Sequence, residues 1–355
     1  MAKKILIIKL GALGDVLRTR SILIGLKEKY PDSEIWWITK PDSKQVLVDD
    51  PLINHILTTP INFIEEKFDE LYNFDIEEEA TKLAQGIFAE KKFGFYSEDG
   101  FVASFNFPSE YYLNTLFDDE LKKTNKKTYQ EMMFEVAELC YKQQHSYLNL
   151  TEQDKQYADK FIQENNIDTS KLIGIHIGYS SRWPSRSWTY EKIKDFVIKA
   201  KEKEYNILLF GGINEKEKQD KLSRELGQQG VTVYKNNPDN TLKQFASLVN
   251  ICYRLICSDS LSLHTSLALK KPTIGLFFCT SPDEIEGYGL LTKIVSPLLY
   301  DYFPEKMDEY SEELMESIPV EEVLTALEKM NNPALKREVS ELKNVKTNKP
   351  KVEKI

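Results

Sequence analysis

The sequence lacks most features that would take it outside ordinary globular proteins. Four cysteines occur in 355 residues, Cys140, Cys252, Cys257 and Cys279, and no two form a CxxC pair. That argues against a disulfide framework and a structural zinc site, and reads as buried thiols in a reducing compartment. No apolar run approaches the ~20 residues of a membrane-spanning helix. The opening "MAKKILIIKL" imitates a signal peptide only briefly: Lys9 and Asp15 interrupt it, and no small-residue cleavage site follows. A basic excess is missing too. The net charge is -9, which argues against a general nucleic-acid binder while leaving room for a local basic patch. The GxGxxG fingerprint is absent, which disfavours an NAD dehydrogenase. Together these absences predict a cytoplasmic protein, with peripheral contact to the inner face of the cytoplasmic membrane left open.

What is present is material for two cores. Hydrophobic residues make up 41% and charged residues 29%, and a chain of this length carries a prior of two domains. "KKILIIKL" is short, β-branched and continuously apolar, as in a strand buried on both faces. "DVLRTRSILIGLKEKYP" has helical spacing and "SEIWWITK" is the next strand, so the opening is a βαβ unit and its sheet is parallel. Between 45 and 150, "HILTTP" and "FDELYNFD" read as short strands, and "EEEATKLAQGIF" and "TYQEMMFEVAELC" as helices. "GFYSEDGFVASFNFPSEYYLN" reads as a long insertion or loop. A polar helix begins at Thr151, a good N-cap with Asp154 three residues on. Strand and helix patterns then alternate again from "KLIGIHIG" to "PTIGLFF", predicting a second doubly wound α/β domain. Near the end, "PVEEVLTALEKM" and "PALKREVSELKN" read as helices, and the lysine-rich "VKTNKPKVEKI" as a frayed tail.

In open parallel sheets, ligands bind where strands end and helices begin. Four such turns carry polar residues. At Gly11-Ala12-Leu13-Gly14-Asp15 the carboxylate is either a helix-start acid favoured by the dipole or a catalytic base. "HIGYSSRWPSRSW", from His176, carries arginines suited to phosphate, or is a solvated loop above a core histidine. "FGGINEKE" carries Glu215, able to accept ribose hydroxyls or simply to follow a glycine turn. "CSDSLSLHTSLALKK" offers Asp259 and Ser260 at a helix start, with His264 one turn on, as an anion site or as ordinary capping. In two α/β domains, their joint occurrence predicts a cleft holding a phosphate-bearing ligand.

In order along the chain, these segments resemble the ADP-heptose:lipopolysaccharide heptosyltransferase family. "IIKLGALGDVLRT" is similar to that family's opening strand and L-G-D turn. "HIGYSSRWPSRSW" is similar to its H-P-G-x-x-x-P-x-K-R-W segment, and "LLFGGINE" to its L-L-G-G-x-x-E segment. "CSDSLSLHTSLALKKPTIGLFFCTSPDEIEGYG" is similar to its D-T-G-x-x-H-x-A-x-A-x-x-K-P-x-x-x-L-F-G-x-T-x-P segment, including the closing G-Y-G. The likeness runs from residue 4 to about 290 and is weak over 60–150. Leu261 stands where the family has glycine, Ile177 and Ser21 where it has proline.

The resemblance implies a GT-B fold: two facing Rossmann-like doubly wound domains with a central cleft. Residues 1–165 would bind the acceptor, 166–318 the nucleotide sugar, and 319–355 would form C-terminal helices and a tail. It also implies inverting transfer of heptose from ADP-heptose to a lipopolysaccharide-core or other surface-glycan hydroxyl. No metal and no cofactor would be required. Asp15 would be the general base. His176, Arg186, Glu215, Asp259, Ser260, Leu261 and His264 would form the donor side. Gly14, Arg18, Arg20, Lys122 and Lys126 would meet an anionic acceptor. The alternatives are a nucleotide-sugar epimerase or hydrolase of the same fold, or a non-catalytic nucleotide-sugar binder.

Overall fold

The runs "KILII" and "LIGIH" each become an interior strand of a six-stranded sheet in the computed structural model, which describes residues 2–61, 63–178 and 182–331. The first sheet holds β1 (Lys4–Ile8), β2 (Glu34–Thr39), β3 (His55–Thr58), β4 (Phe68–Asn73), β5 (Ala89–Glu98) and β6 (Phe101–Ser104), in the order β3-β2-β1-β4-β5-β6. The second holds β7 (Leu172–His176), β8 (Asn206–Phe210), β9 (Tyr234–Lys235), β10 (Arg254–Ser258), β11 (Thr273–Phe277) and β12 (Leu291–Val295), in the order β12-β11-β10-β7-β8-β9. All pairings are parallel except β5 with β6.

The unbroken apolar strands follow from burial on both faces. Ile5 and Ile7 enter one core cluster, while Leu6 and Ile8 enter another on the opposite face. β7 divides likewise, with Ile173 and Ile175 on one side and Leu172 on the other. The helix Val320–Asn331 adds Val323 and Leu327 to the second lobe's core. The lobes also touch directly. Leu242, Ala246 and Ala268 of the second lobe are buried in the first lobe's cluster. Strand order reverses between β1 and β4 in one sheet and between β7 and β10 in the other. A crevice opens at the carboxyl ends of strands at such points.

Two local expectations are corrected. The single helix predicted after β1 is two helices, Leu13–Thr19 and Ser21–Lys29. The Thr19 hydroxyl donates to the Asp15 carbonyl (2.7 Å) and the Ser21 hydroxyl to the Arg18 carbonyl (3.2 Å). Such back-bonding competes with the helical ladder and bends it. The predicted loop at 94–114 is instead the β5–β6 hairpin followed by the helix Pro108–Phe117. Its turn is Asp99-Gly100, both at positive φ (49° and 87°), which suits a tight two-residue connection. At Thr151 the predicted capping box with Asp154 is present. The segments "PALKREVSELKN" and "VKTNKPKVEKI", read as a helix and a frayed tail, lie outside the described residues.

Candidate active site

The chain leaves β1 through Leu10 and Gly11, whose amides donate to Asp75 Oδ2 at 2.9 and 2.7 Å. Asp75 follows β4, the neighbour across the switch point, so the turn is fastened to both central strands. Lys9 lies almost wholly buried beneath it, 3.5 Å from Asp75 and donating to the Phe74 carbonyl at 3.0 Å. Burial would depress the Lys9 ammonium, but Tyr129, Asp75 and Asp15 outweigh it and keep the group charged.

From this turn rises Asp15, in the first turn of Leu13–Thr19. Its side chain is 35% exposed. Arg18, one turn on, donates from Nε to Asp15 Oδ1 at 3.0 Å, with Nη2 2.8 Å from the same oxygen. The guanidinium lies 3.6 Å above the Tyr129 ring. Burial would raise the Asp15 carboxyl, yet Arg18, Lys9 and His264 overcome it and hold it at about 2.

The second lobe presents its own charges at the carboxyl end of β10. Asp259 forms an ion pair with Arg186 at 3.0 Å, both side chains nearly buried. Arg186 stacks on Trp183, 4.6 Å from the ring centre, and its Nε has no hydrogen-bond partner. His264 Nε2 stands 3.7 Å from Asp259 Oδ1. Burial, followed by Arg18, pushes the His264 imidazole down to about 4, so it is neutral at pH 7. Ser260 precedes the helix Leu261–Ala268 in extended conformation, and its hydroxyl turns back to the Ser258 carbonyl. Leu261 packs against the first lobe's apolar cluster.

The two lobes meet at Gly14 and His264. A Cβ on Gly14 would lie 2.9 Å from His264 Cδ2, so only glycine admits the ring there without displacement. This closeness places Asp15 and Arg18 of one lobe opposite His264, Asp259 and Arg186 of the other. Further along the second sheet, His176 ends β7 with its Nδ1 unpartnered, and burial, then Lys218 and Arg186, push it down to about 4. Glu215 accepts from the Gly212 amide at 2.9 Å and lies against Gly178. Residues 179–181 of the same loop lie outside the described residues.

Not every predicted residue joins this group. Arg20, expected beside Arg18, is fully buried, bonded to Asp50 Oδ2 at 2.6 Å and stacked on Tyr147. Its guanidinium anchors the helix start to the core and does not face an acceptor. Lys122 stands 5.9 Å from the Phe303 ring, and Lys126 pairs with Asp283 at 2.7 Å, both reaching from the first lobe to the second. Residues that site reasoning passed over also gather here. Lys9 had a signal, a lone charge in an apolar strand. Glu284 shares the field of Arg18, Lys122, Asp259 and Asp15, and burial raises its carboxyl. Nothing in its local sequence marks it. Among the described residues no three His, Cys, Asp or Glu side chains are grouped as a metal site.

The family profile of glycosyltransferase family 9 (heptosyltransferase) matches residues 83–313. The chain belongs to this family. The match covers the second-lobe charges, whereas Asp15 and its turn lie ahead of it. Lipooligosaccharide heptosyltransferase 2 of Haemophilus ducreyi is 24% identical over 305 residues, 79% of this chain and 84% of that protein. Among solved structures, the glycosyl transferase family 9 protein of Veillonella parvula superposes with a TM-score of 0.72 at 18% identity, covering 92% of this chain and 96% of that one. The E. coli ADP-heptose lps heptosyltransferase II gives 0.65 at 18% identity, covering 94% and 99%. These likenesses show the GT-B fold expected from the sequence, and membership of the family makes the protein a glycosyltransferase.

Proposed function

We propose that this family 9 glycosyltransferase moves heptose from ADP-heptose, with inversion, to a hydroxyl of a lipopolysaccharide-core or related surface glycan. The single observation that carries the reading is the opposition of Asp15 on one lobe to the Asp259–Arg186 pair and His264 on the other. A sugar hydroxyl is a poor nucleophile at neutral pH, so a carboxylate within reach of its proton helps. The alcohol proton passes to Asp15 as the new C1–O bond forms and the bond from C1 to the diphosphate breaks. Charge gathers on the departing diphosphate. Arg186 and the free amides at the start of Leu261–Ala268 are placed to meet it, and they act most strongly in the transition state. His176, Glu215, Asp259 and Ser260 complete the donor side. Arg18, with Lys122 and Lys126, suits an anionic acceptor. We assign the acceptor to 1–165 and the donor to 166–318.

The test pairs binding with turnover. ADP and ADP-heptose should raise the unfolding temperature where NAD does not, and a lipopolysaccharide-core acceptor should gain the mass of one heptose. Asp15→Asn should lower that rate by about 10²–10⁴-fold while keeping donor protection. Protection by NAD alone, or an unchanged rate in Asp15→Asn, would overturn the reading.

A further inference from the structure

We propose that Arg18 is a guard on Asp15, holding the carboxylate until an anionic group of the acceptor takes the arginine and frees the base. This rests on the donor and base assigned above. It adds that the base is masked in the enzyme that has bound donor alone.

The geometry supports a group that can leave. Both close contacts, from Nε and Nη2, fall on Asp15 Oδ1, and a guanidinium has five N–H groups in all. The arginine is carried on the face of Tyr129. That ring is fixed from below, because its hydroxyl meets Thr19 Oγ1 at 2.7 Å and Thr19 Oγ1 donates to the Asp15 carbonyl. Stacking holds the cation over the ring and does not dictate which way its N–H edge points. The arginine can therefore turn its edge from Asp15 to a phosphate while keeping its platform. A phosphate matches the planar fork bidentately, where Asp15 offers it a single oxygen.

The surrounding charges set the sense of the switch. Lys9 comes from beneath the turn and favours the ionised form of Asp15 at neutral pH, while His264 of the opposite lobe adds to this only once protonated, below about pH 4. Tyr129 and Tyr112 act on Arg18 from its own lobe and Asp259 from the second, and Glu284 shares its field from the second lobe. Of these, Arg18 is the strongest single influence opposing burial of the Asp15 carboxylate. Its departure therefore moves Asp15 furthest towards a stronger base.

The consequence is selectivity against water. Water fits wherever an alcohol fits. With water as nucleophile, its proton goes to Asp15, its oxygen bonds to C1, the bond from C1 to the diphosphate breaks, and free heptose and ADP result. A base released only by the anionic acceptor leaves this reaction slow, a form of substrate-assembled catalysis.

The experiment measures ADP release from ADP-heptose with no acceptor, in wild type, Arg18→Gln and Arg18→Lys, with inorganic phosphate as the anion probe. Wild-type release should be slow, show no acid limb above pH 4, and rise saturably with phosphate. Arg18→Gln should release ADP about tenfold faster, ignore phosphate, and show an acid limb near the ordinary carboxylate value of about 3.9. Arg18→Lys, which keeps the charge without the fork, should fall between, and stands in if the glutamine variant does not fold. Equal release by the variants and wild type, with the acid limb unmoved, overturns the guard alone. Failure of ADP and ADP-heptose to protect the wild type from unfolding overturns the donor reading, and the guard with it.

Discussion

Asp15 and Asp259 both flank a switch point, one in each lobe. Each follows an interior strand at the switch point of its sheet, and each carboxyl is held below its ordinary value by an arginine against the pull of burial. They differ in how the arginine arrives. Arg18 is three residues along the same helix, and Asp15 keeps 35% of its side chain exposed. Arg186 comes from a loop 73 residues earlier in sequence, and Asp259 keeps 13%. The local pair can open without moving a backbone. The long-range pair ties the loop after β7 to the end of β10, so opening it pulls two strand ends apart. The same pairing chemistry thus leaves an accessible carboxylate in one lobe and fastens a loop to a strand end in the other.

That contrast breaks if the two acids respond alike to removal of charge. Asp259→Asn strands a nearly buried guanidinium, and breaking a buried pair costs about 3–5 kcal/mol. Its unfolding free energy in urea should fall by that amount. Asp15→Asn loses a partly exposed pair worth no more than about 1 kcal/mol, so its loss should appear in turnover and hardly in the urea midpoint. Comparable stability losses in both variants would remove the distinction.

Sequence reading reached the strands, the two sheets and the polar turns because each has a local cause. Continuous apolar runs mean burial on both faces, and strand ends carry the ligand groups of such sheets. It failed where partners are remote. Nothing near Arg20 announces Asp50, thirty residues on, yet that pair turns the side chain into the core. Glu284 enters the site only because the lobes face one another. The hairpin at Asp99-Gly100 is a different failure. The turn dipeptide was visible, and the aromatic, glycine-punctuated surroundings hid the alternation on either side of it.

Histidine sharpens the comparison, because His264 stands between the two acids. Its folded pKa is about 4 against an ordinary 6.5, with burial the first cause and Arg18 the next. Between those values the unfolded chain binds the extra proton, so stability is full above pH 6.5 and is lost as pH falls towards 4. The shift corresponds to about 3 kcal/mol, and His176, depressed likewise to about 4, adds to the same slope. Urea unfolding measured from pH 7 to pH 4 should show this decline, and His264→Gln should flatten it. The carboxylates act lower, since groups depressed below the ordinary range lose their contribution only as pH drops under about 4. A His264→Gln slope equal to wild type would mean that the ring is already solvated in the folded protein.

The smallest effect belongs to the lysines that reach across the cleft mouth. Lys126 pairs with Asp283 at 2.7 Å, but 68% of its side chain is exposed, and Lys123 makes a parallel contact with Glu305. Exposed pairs of this kind contribute about 0–1 kcal/mol and fade with salt. Lys126→Ala should therefore shift the urea midpoint barely at all. If the lysine meets an anionic acceptor, the same substitution should raise the acceptor KM a few-fold at low salt, leave the donor KM alone, and lose its effect at high salt. An altered donor KM would instead mean that the Lys126–Asp283 pair acts on the second lobe, where the donor side is proposed to lie.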